Sequence, residues 1–179
     1  MLERLLSQKR AAILERWFRL ILDTYPADSS SFFKQEKDRF VNPVGCTISL
    51  EIEALYDGLL RGMDADKLSA SLDNIIRIRS VQDFSPSQAI AFVLLLKKAV
   101  REELESEIRK NQLFEELLKF ESKIDKLALL AVDIYARCRE KIYELRVNAV
   151  KAETERVFKL LERTSPEYDK LERDTGIIE

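Results

Sequence analysis

Two arginines set among isoleucines give this sequence its clearest candidate for a polar site. Arg77 and Arg79 alternate with isoleucines in the stretch IIRIRSVQD, which Asp83 closes. A guanidinium group presents five N–H donors in a planar fork that fits a carboxylate or a phosphate. The pattern predicts a partly buried ion-pair cluster of these three residues. The alternative is an anion or partner site, for which Tyr56 is a further candidate anchor.

The sequence contains no histidine, and this removes most familiar catalytic and metal-binding arrangements. Ser-His-Asp and Cys-His catalysis, most zinc, copper and non-haem iron sites, and haem held by a proximal histidine all need an imidazole. Cys46 and Cys138 lie far apart and form neither a CxxC motif nor a disulfide framework. We therefore expect no catalytic residue, no cofactor and no metal, and a function other than catalysis.

The composition is that of one folded domain without a strong electrostatic attraction for nucleic acid. The 179 residues are 46% hydrophobic and 35% charged, and the net charge is −2. No apolar run approaches the length of a transmembrane helix, and the N-terminal stretch carries charges throughout, unlike a signal peptide. We expect a cytoplasmic protein with no transmembrane segment and no nucleic-acid partner.

The helix best marked in the sequence covers residues 84–105. Ser85 is placed to cap it, Pro86 fits the first helical position, and Gln88 completes a capping box. Residues 89–96 then form a run of apolar side chains without interruption. A helix that is apolar on every side must be surrounded by protein. We expect this run to be enclosed on all sides at the centre of the fold.

Similar signals divide the first half of the chain into further helices. An amphipathic pattern predicts a single helix over residues 2–23. The remaining signals are Asn42-Pro43 at the start of a helix, Gly62 at its end, and Asp64 or Asp66 at the start of the next. With the short helix before Asn42, the central helix and a long C-terminal one, the expected fold is all-α, with about six helices.

The C-terminal third reads as one long helix. Residues 112–164 contain neither proline nor glycine, and Ser165-Pro166 is expected to end the helix before an acidic, flexible tail. The first half repeats apolar residues at heptad spacing, which predicts that it packs into the domain. Those residues are Leu113, Leu117, Phe120, Ile124, Leu127, Ala131, Ile134 and Cys138.

The same helix becomes far more polar beyond Glu140. Its remaining apolar face is predicted to bind a partner, and it consists of Ile142, Leu145, Val150, Val157, Leu160 and Leu161. A long helix this polar is seldom stable alone. We expect it to project as an arm and to pair with a second copy of the chain or with another protein. The alternative is a fraying helical tail.

Several long stretches resemble one known family. They are KDRFVNPVGCTISLEIEALYDGLL, IIRIRSVQDFSPSQAIAFVLLLKKAVREEL and ALLAVDIYARCREKIYEL. All three are similar to the N-terminal domain of RsbT co-antagonist proteins of the RsbRD type, members of the bacterial stressosome group. The resemblance covers about residues 5–147. We take residues 1–147 as the domain and residues 148–179 as a helical extension and tail.

The resemblance implies a sensory or partner-binding domain, similar to a globin without haem. Full-length relatives carry a C-terminal STAS domain that is phosphorylated and sequesters a kinase. This sequence shows no alternating β and α pattern after residue 147, so it looks like a stand-alone version of the sensory half. No phosphorylation site or ligand residue is carried over.

Two functions remain open from the sequence. The first is a regulatory module that acts by protein–protein contact, as in stressosome-type signalling, and forms a homodimer through the C-terminal helix. The second is a sensor of a lipid or metabolite, with an apolar pocket near residues 92–96 and polar anchors from Arg77, Arg79 or Tyr56.

Overall fold

A computed structural model describes the backbone of residues 1–36, 38–62, 64–82 and 84–175, and the side chains of these residues up to position 161. The described residues form α-helices and no β-strand, which confirms the predicted all-α fold. The helices are α1 (Leu2–Gln8), α2 (Arg10–Leu22), α3 (Ala27–Gln35), α4 (Pro43–Arg61), α5 (Ala65–Val81), α6 (Pro86–Asn111) and α7 (Phe114–Thr175).

The first predicted helix is in fact two. Lys9 leaves helical geometry, with φ −94° and ψ 12°, and so separates α1 from α2. Its N–H still donates to the Leu5 carbonyl, and its own carbonyl accepts from Ile13. The chain therefore turns at one residue while its backbone hydrogen bonds continue, and no proline or glycine marks the place.

The structure confirms most of the predicted helix ends, because the residues predicted to begin or end a helix occupy its cap positions. The Asn42 side chain accepts from the Gly45 N–H at the start of α4, and the Asp64 side chain accepts from the Asp66 N–H at the start of α5. Gly62 ends α4 in the left-handed conformation, with φ 73°, which a glycine adopts without steric cost.

The core forms where α2 meets α1, α3, α4 and α6, with α5 packed on α4 and α6. Trp17 on α2 is fully buried, and its Nε1–H donates to the Phe92 carbonyl of α6 over 2.7 Å. The Tyr56 hydroxyl of α4 donates to the Leu6 carbonyl over 3.0 Å and fixes α1 in the same way. Each bond satisfies a polar group inside an apolar core, where an unpaired group would be costly.

The apolar run of α6 is not enclosed on all sides, so that expectation was wrong. Ala89, Phe92, Val93 and Leu96 are fully buried, whereas Leu94 is 45% exposed. The buried positions follow the i, i+3, i+4, i+7 pattern of a single helix face. Because α6 has a core face and an outer face like its neighbours, the run adds exposed apolar surface as well as core.

The first half of α7 packs into the domain, as its heptad spacing predicted. Leu117, Ile124 and Ile134 are among its buried residues. Arg101 on α6 clamps the buried carboxylate of Glu121 through two hydrogen bonds of 2.6 and 2.7 Å. A bidentate guanidinium–carboxylate pair fixes direction as well as distance, so this contact sets how α7 lies on α6.

The predicted end of the last helix at Ser165-Pro166 was wrong, because α7 continues to Thr175. By its contacts the chain divides into two units, Met1–Cys138 and Arg139–Glu179. The predicted boundary at residue 147 and the flexible tail stay predictions, and residues 176–179 lie outside the described residues.

None of the helices in the described part of the chain combines the length and apolar character that crossing a bilayer requires.

Candidate functional site

Arg79 lies fully buried in the first unit, beside the N-terminus of α6. Its Nη2 donates to the Thr24 hydroxyl and to the Gln88 carbonyl, each over 3.0 Å. The guanidinium carbon lies 4.1 Å from the ring centroid of Phe84 and 5.1 Å from that of Tyr25. Burial lowers the pKa of Arg79 from its ordinary value, because desolvation disfavours the charged form. Two aromatic faces and two oxygen acceptors offset part of that cost.

The other members of the predicted cluster lie apart from Arg79. Arg77 is 72% exposed and pairs with Asp73 one turn back on α5, with Nε–Oδ2 at 2.6 Å. The Tyr56 hydroxyl is bonded to Leu6, and burial raises its pKa well above the ordinary value. Asp83 lies outside the described residues. Among the described contacts, Arg77 and Tyr56 make none with Arg79. A ligand site formed by these residues stays a prediction.

Arg79 and its four contacts, Thr24, Tyr25, Phe84 and Gln88, are called here the Arg79 cluster. A surface groove of about 480 Å³ lies beside this cluster. Its lining residues are Thr24, Tyr25, Pro26, Ser29, Phe33, Gln82, Phe84 and Gln88. The Tyr25 hydroxyl, Gln82 Oε1, and Nε and Nη1 of Arg79 are buried here without a hydrogen-bond partner among the described residues. Sequence reasoning missed Tyr25, because it lies far from Arg79 in the chain. It also missed Phe84, which follows Arg79 closely but lies between α5 and α6.

The second candidate site is the part of α7 that belongs to the second unit. Its described side chains from residue 143 onward are all exposed. Between 50% and 63% of each large apolar side chain in this stretch is accessible. These residues, called here the C-terminal surface, are Tyr143, Leu145, Val147, Val150, Val157, Phe158, Leu160 and Leu161.

The predicted partner-binding residues fall on this surface with one exception. Leu145, Val150, Val157, Leu160 and Leu161 are exposed, whereas Ile142 is only half-buried at its edge. Sequence reasoning left out Tyr143, Val147 and Phe158. The signal for Tyr143 and Val147 was a second heptad row, which consists of Tyr143, Val147, Val150, Thr154, Val157 and Leu161, spaced alternately by four and three residues. Phe158 lies beside this row and not in it.

Charged side chains flank this row of the C-terminal surface. Lys141 Nζ lies 3.2 Å from Glu144 Oε2, and Arg139 donates to the Tyr143 hydroxyl over 3.0 Å. Exposed pairs of this kind add only a few tenths of a kcal/mol to a helix, roughly 0.3–0.5 kcal/mol each. They support helical structure locally but supply none of the apolar burial that usually stabilises a helix.

Metal binding has no support in the described residues, which contain no group of three or more Cys, Asp or Glu side chains able to hold an ion.

Residues 11–150 match the family model for the RsbT co-antagonist protein RsbRD N-terminal domain. The chain belongs to this family. The matched residues include Arg79 and its partners and the first part of the C-terminal surface, up to Val150. The outer residues of that surface, from Val157 onward, lie beyond the match.

An uncharacterised protein of the archaeon Archaeoglobus fulgidus is similar to this RsbRD N-terminal domain protein. The two are 28% identical over an alignment of 161 positions, which covers 87% of this chain and 94% of the relative. No solved structure matches the chain. The expected similarity to a haem-free globin therefore stays a prediction.

Proposed function

We propose that this RsbRD N-terminal domain protein is a regulatory module that acts by protein–protein contact, as in stressosome-type signalling. The contact is made through the C-terminal surface. Membership of the RsbRD family supports a regulatory role, since the family is named for proteins that antagonise another signalling protein together. The first unit supplies the folded body that carries this surface.

The observation that carries the proposal is the exposure of every large apolar side chain between residues 143 and 161. An ordinary surface helix turns its apolar residues towards its own core. An exposed apolar row along several helical turns is typical of a binding surface. Helices recognise partners by laying such a row against a groove or a second helix.

We assign no chemical step to the protein and place it in the cytoplasm. A chain without histidine lacks the side chain that most often transfers protons at neutral pH and most often binds catalytic metals. What the protein changes is the availability of its partner, which requires only binding.

A charge placed on the C-terminal surface tests the proposal. Val150 is 63% exposed, so Val150→Glu is expected to leave the first unit folded while it puts a carboxylate into the contact. Tagged protein would be used to capture partners from extracts of the cells that produce it, with identification by mass spectrometry. A kinase or STAS-domain protein is expected with the natural surface, and its recovery is expected to fall about tenfold or more in the variant.

The matched control is Ala152→Glu, which adds the same charge to the same exposed stretch of helix but off the heptad row. Recovery of the signalling partner is expected to be unchanged in this control. Recovery that is equal for all three proteins, or recovery of no signalling protein at all, would contradict a function through this surface.

A further inference from the structure

The buried guanidinium of Arg79 carries a positive charge that no described acidic side chain balances. Among the described titratable groups only Tyr25 affects its pKa, so no carboxylate of these residues lies close to it. Its Nη2 donates to Thr24 and Gln88, whereas Nε and Nη1 have no hydrogen-bond partner among the described residues. A buried charge without a counter-charge is costly, and so is each donor left unpaired. Arg79 is therefore suited to pair with an anion that binds from outside the chain.

The guanidinium lies just beneath the groove beside the Arg79 cluster. All four residues that contact it also line this groove, namely Thr24, Tyr25, Phe84 and Gln88. Thr24 and Gln88 are themselves exposed, so little more than one layer of side chains separates Arg79 from the surface. A ligand in the groove therefore needs only a small movement of this layer to reach the guanidinium.

Tyr25 is the part of that layer with the weakest polar anchoring. Its ring makes edge-on contacts with Phe33 and Phe84, whose ring centroids lie 5.3 and 5.1 Å away. Its hydroxyl is buried and has no hydrogen-bond partner among the described residues, although a buried tyrosine hydroxyl usually finds one. Because no described hydrogen bond holds the ring over Arg79, a rotation of Tyr25 opens the guanidinium to the groove without breaking one.

The lining of the groove indicates the kind of anion that fits. Every described residue that lines it is uncharged, and three of them are the aromatic residues Tyr25, Phe33 and Phe84. Its volume of about 480 Å³ is typical of small-molecule sites, which are mostly apolar with a few polar groups. The charge of Arg79 balances one negative charge, whereas a phosphate with nearly two would keep an unbalanced charge in an apolar site. The groove therefore favours a carboxylate with an apolar body.

The unpaired polar atoms of this region also favour a carboxylate. Arg79 Nε, Arg79 Nη1 and the Tyr25 hydroxyl can all donate, and Gln82 Oε1 is the one acceptor among them. A carboxylate only accepts hydrogen bonds, and it can accept several. Burial raises the pKa of Tyr25 and the charge of Arg79 opposes that rise, so the hydroxyl lies within electrostatic reach of the guanidinium. Gln88 adds the first turn of α6 to the groove, and a helix N-terminus favours negative charge.

We propose that this groove binds a small monocarboxylate with an aromatic or branched apolar body. The carboxylate pairs with Arg79 and accepts from the Tyr25 hydroxyl, and the apolar body lies against Phe33 and Phe84. The site belongs to the first unit alone, so it does not depend on the partner contact proposed for the C-terminal surface.

Titration of the full chain with acids and their neutral amides tests the charge. Phenylacetate and isovalerate are the probes, and the shifts of backbone amide resonances in NMR spectra measure the Kd. At least one of the two acids is expected to bind with a Kd below about 1 mM. Phenylacetamide and isovaleramide have the same shapes but no charge, so each is expected to bind at least about tenfold more weakly than its acid. Inorganic phosphate is expected to bind at least about tenfold more weakly than the better acid, for the reason given above.

A matched pair of serine variants tests the location. Ser29 lines the groove and is half-buried, whereas Ser31 is exposed on the same helix and does not line it. Ser29→Phe fills the groove and is expected to raise the Kd of the better acid at least about tenfold. Ser31→Phe makes the same change outside the groove and is expected to keep the Kd within about twofold. Arg79 itself is kept, because its replacement is expected to destabilise the first unit.

Tyr25→Phe separates a role in binding from a role in folding. The variant keeps the ring and removes only a hydroxyl that has no described partner, so the Tm of the free chain is expected not to fall. The Kd of the better acid is expected to rise roughly tenfold, because the carboxylate loses one hydrogen bond. A fall in Tm with an unchanged Kd would show that the hydroxyl serves folding and does not touch the ligand.

The remaining results each contradict one part of the proposal. Binding of neither acid below about 10 mM would overturn the site as a whole. Equal binding of acid and amide would overturn the pairing with Arg79, and phosphate binding as tightly as the better acid would overturn the monocarboxylate class. An equal Kd in Ser29→Phe and Ser31→Phe would overturn the groove as the location. The capture experiment with Val150→Glu is read independently, since it reports only on the C-terminal surface.

Discussion

At the scale of the residue, Arg79 shows how a charge is accommodated within the first unit. Its guanidinium stacks against Tyr25 and Phe84. One of its nitrogens donates to the Gln88 carbonyl of α6 and to the hydroxyl of Thr24, which follows α2. A planar guanidinium can stack and donate at once, whereas the ammonium of a lysine is a compact, strongly hydrated charge. The site is therefore specific for arginine and not merely for positive charge.

Arg79→Lys is accordingly expected to destabilise the first unit by about 2–4 kcal/mol, through loss of both ring contacts and at least one charged hydrogen bond. Unfolding in urea, followed by the fluorescence of Trp17, measures the change. Trp17 is the only tryptophan of the chain and is fully buried in this unit, so its fluorescence reports on the unfolding of this unit.

Arg77→Lys is the matched control, two residues away on the same helix. Arg77 is largely exposed and pairs with Asp73 on the surface, so its replacement is expected to cost less than about 0.5 kcal/mol. Equal losses at the two positions would show that Arg79 contributes charge alone and that its stacking is unimportant.

The sequence pointed to Arg79 but not to its surroundings. Two arginines among isoleucines suggest a charge near the core, and this could be read locally. The partners Thr24, Tyr25 and Gln88 come from other segments, and nothing in their own spacing indicates an arginine nearby. Long-range packing of this kind is determined by how the helices assemble, which local patterns do not encode.

At the scale of the element, the start of α6 is fixed by a complete capping box. The Gln88 N–H donates to Ser85 Oγ over 3.3 Å, and Gln88 Oε1 accepts from the Ser85 N–H over 2.9 Å. These bonds satisfy donors that the first helical turn leaves unpaired. Gln88 also supplies the carbonyl that Arg79 binds. The cap therefore positions one hydrogen-bond acceptor of the Arg79 cluster.

Ser85→Ala is expected to cost about 1 kcal/mol of stability, the usual effect of losing an N-cap side chain. In thermal unfolding followed by Trp17, this corresponds to a fall in Tm of roughly 2–4 °C. Ser106→Ala on the same helix is the control, because a mid-helix alanine has higher helix propensity than serine. A loss at Ser106 as large as that at Ser85 would argue against a specific role for the cap.

Helix starts were predictable where polar side chains cap the backbone, as at Asn42, Asp64 and Ser85. The break at Lys9 was not, because a single residue leaves helical geometry with no proline or glycine to signal it. The outward position of Leu94 was also missed. An uninterrupted apolar run gives no indication of which side faces the core, since the distinction depends on where neighbouring helices pack.

At the scale of the whole molecule, the two units are stabilised in different ways. Residues of the first unit bury a continuous apolar core that includes Trp17, Phe92 and Ile124. The described side chains of the second unit from residue 143 onward are all exposed. A helix of this kind gains little from local ion pairs and is marginal in water unless another surface covers its apolar row. Its stability should therefore depend on the concentration of its partner.

Hydrogen exchange of the chain alone and in the presence of its captured signalling partner tests this difference directly. Amides of residues 143–157 are expected to exchange rapidly in the chain alone and to become protected when the partner is added in excess, because the partner buries the heptad row. Amides of Phe92 and Val93 in α6 are expected to be protected in both samples, since their helix packs against its own chain. In Val150→Glu, protection of residues 143–157 should require roughly tenfold more partner. Strong protection of these residues in the chain alone would mean that this part of α7 is stable without a partner, and the exposed row would then need a different explanation.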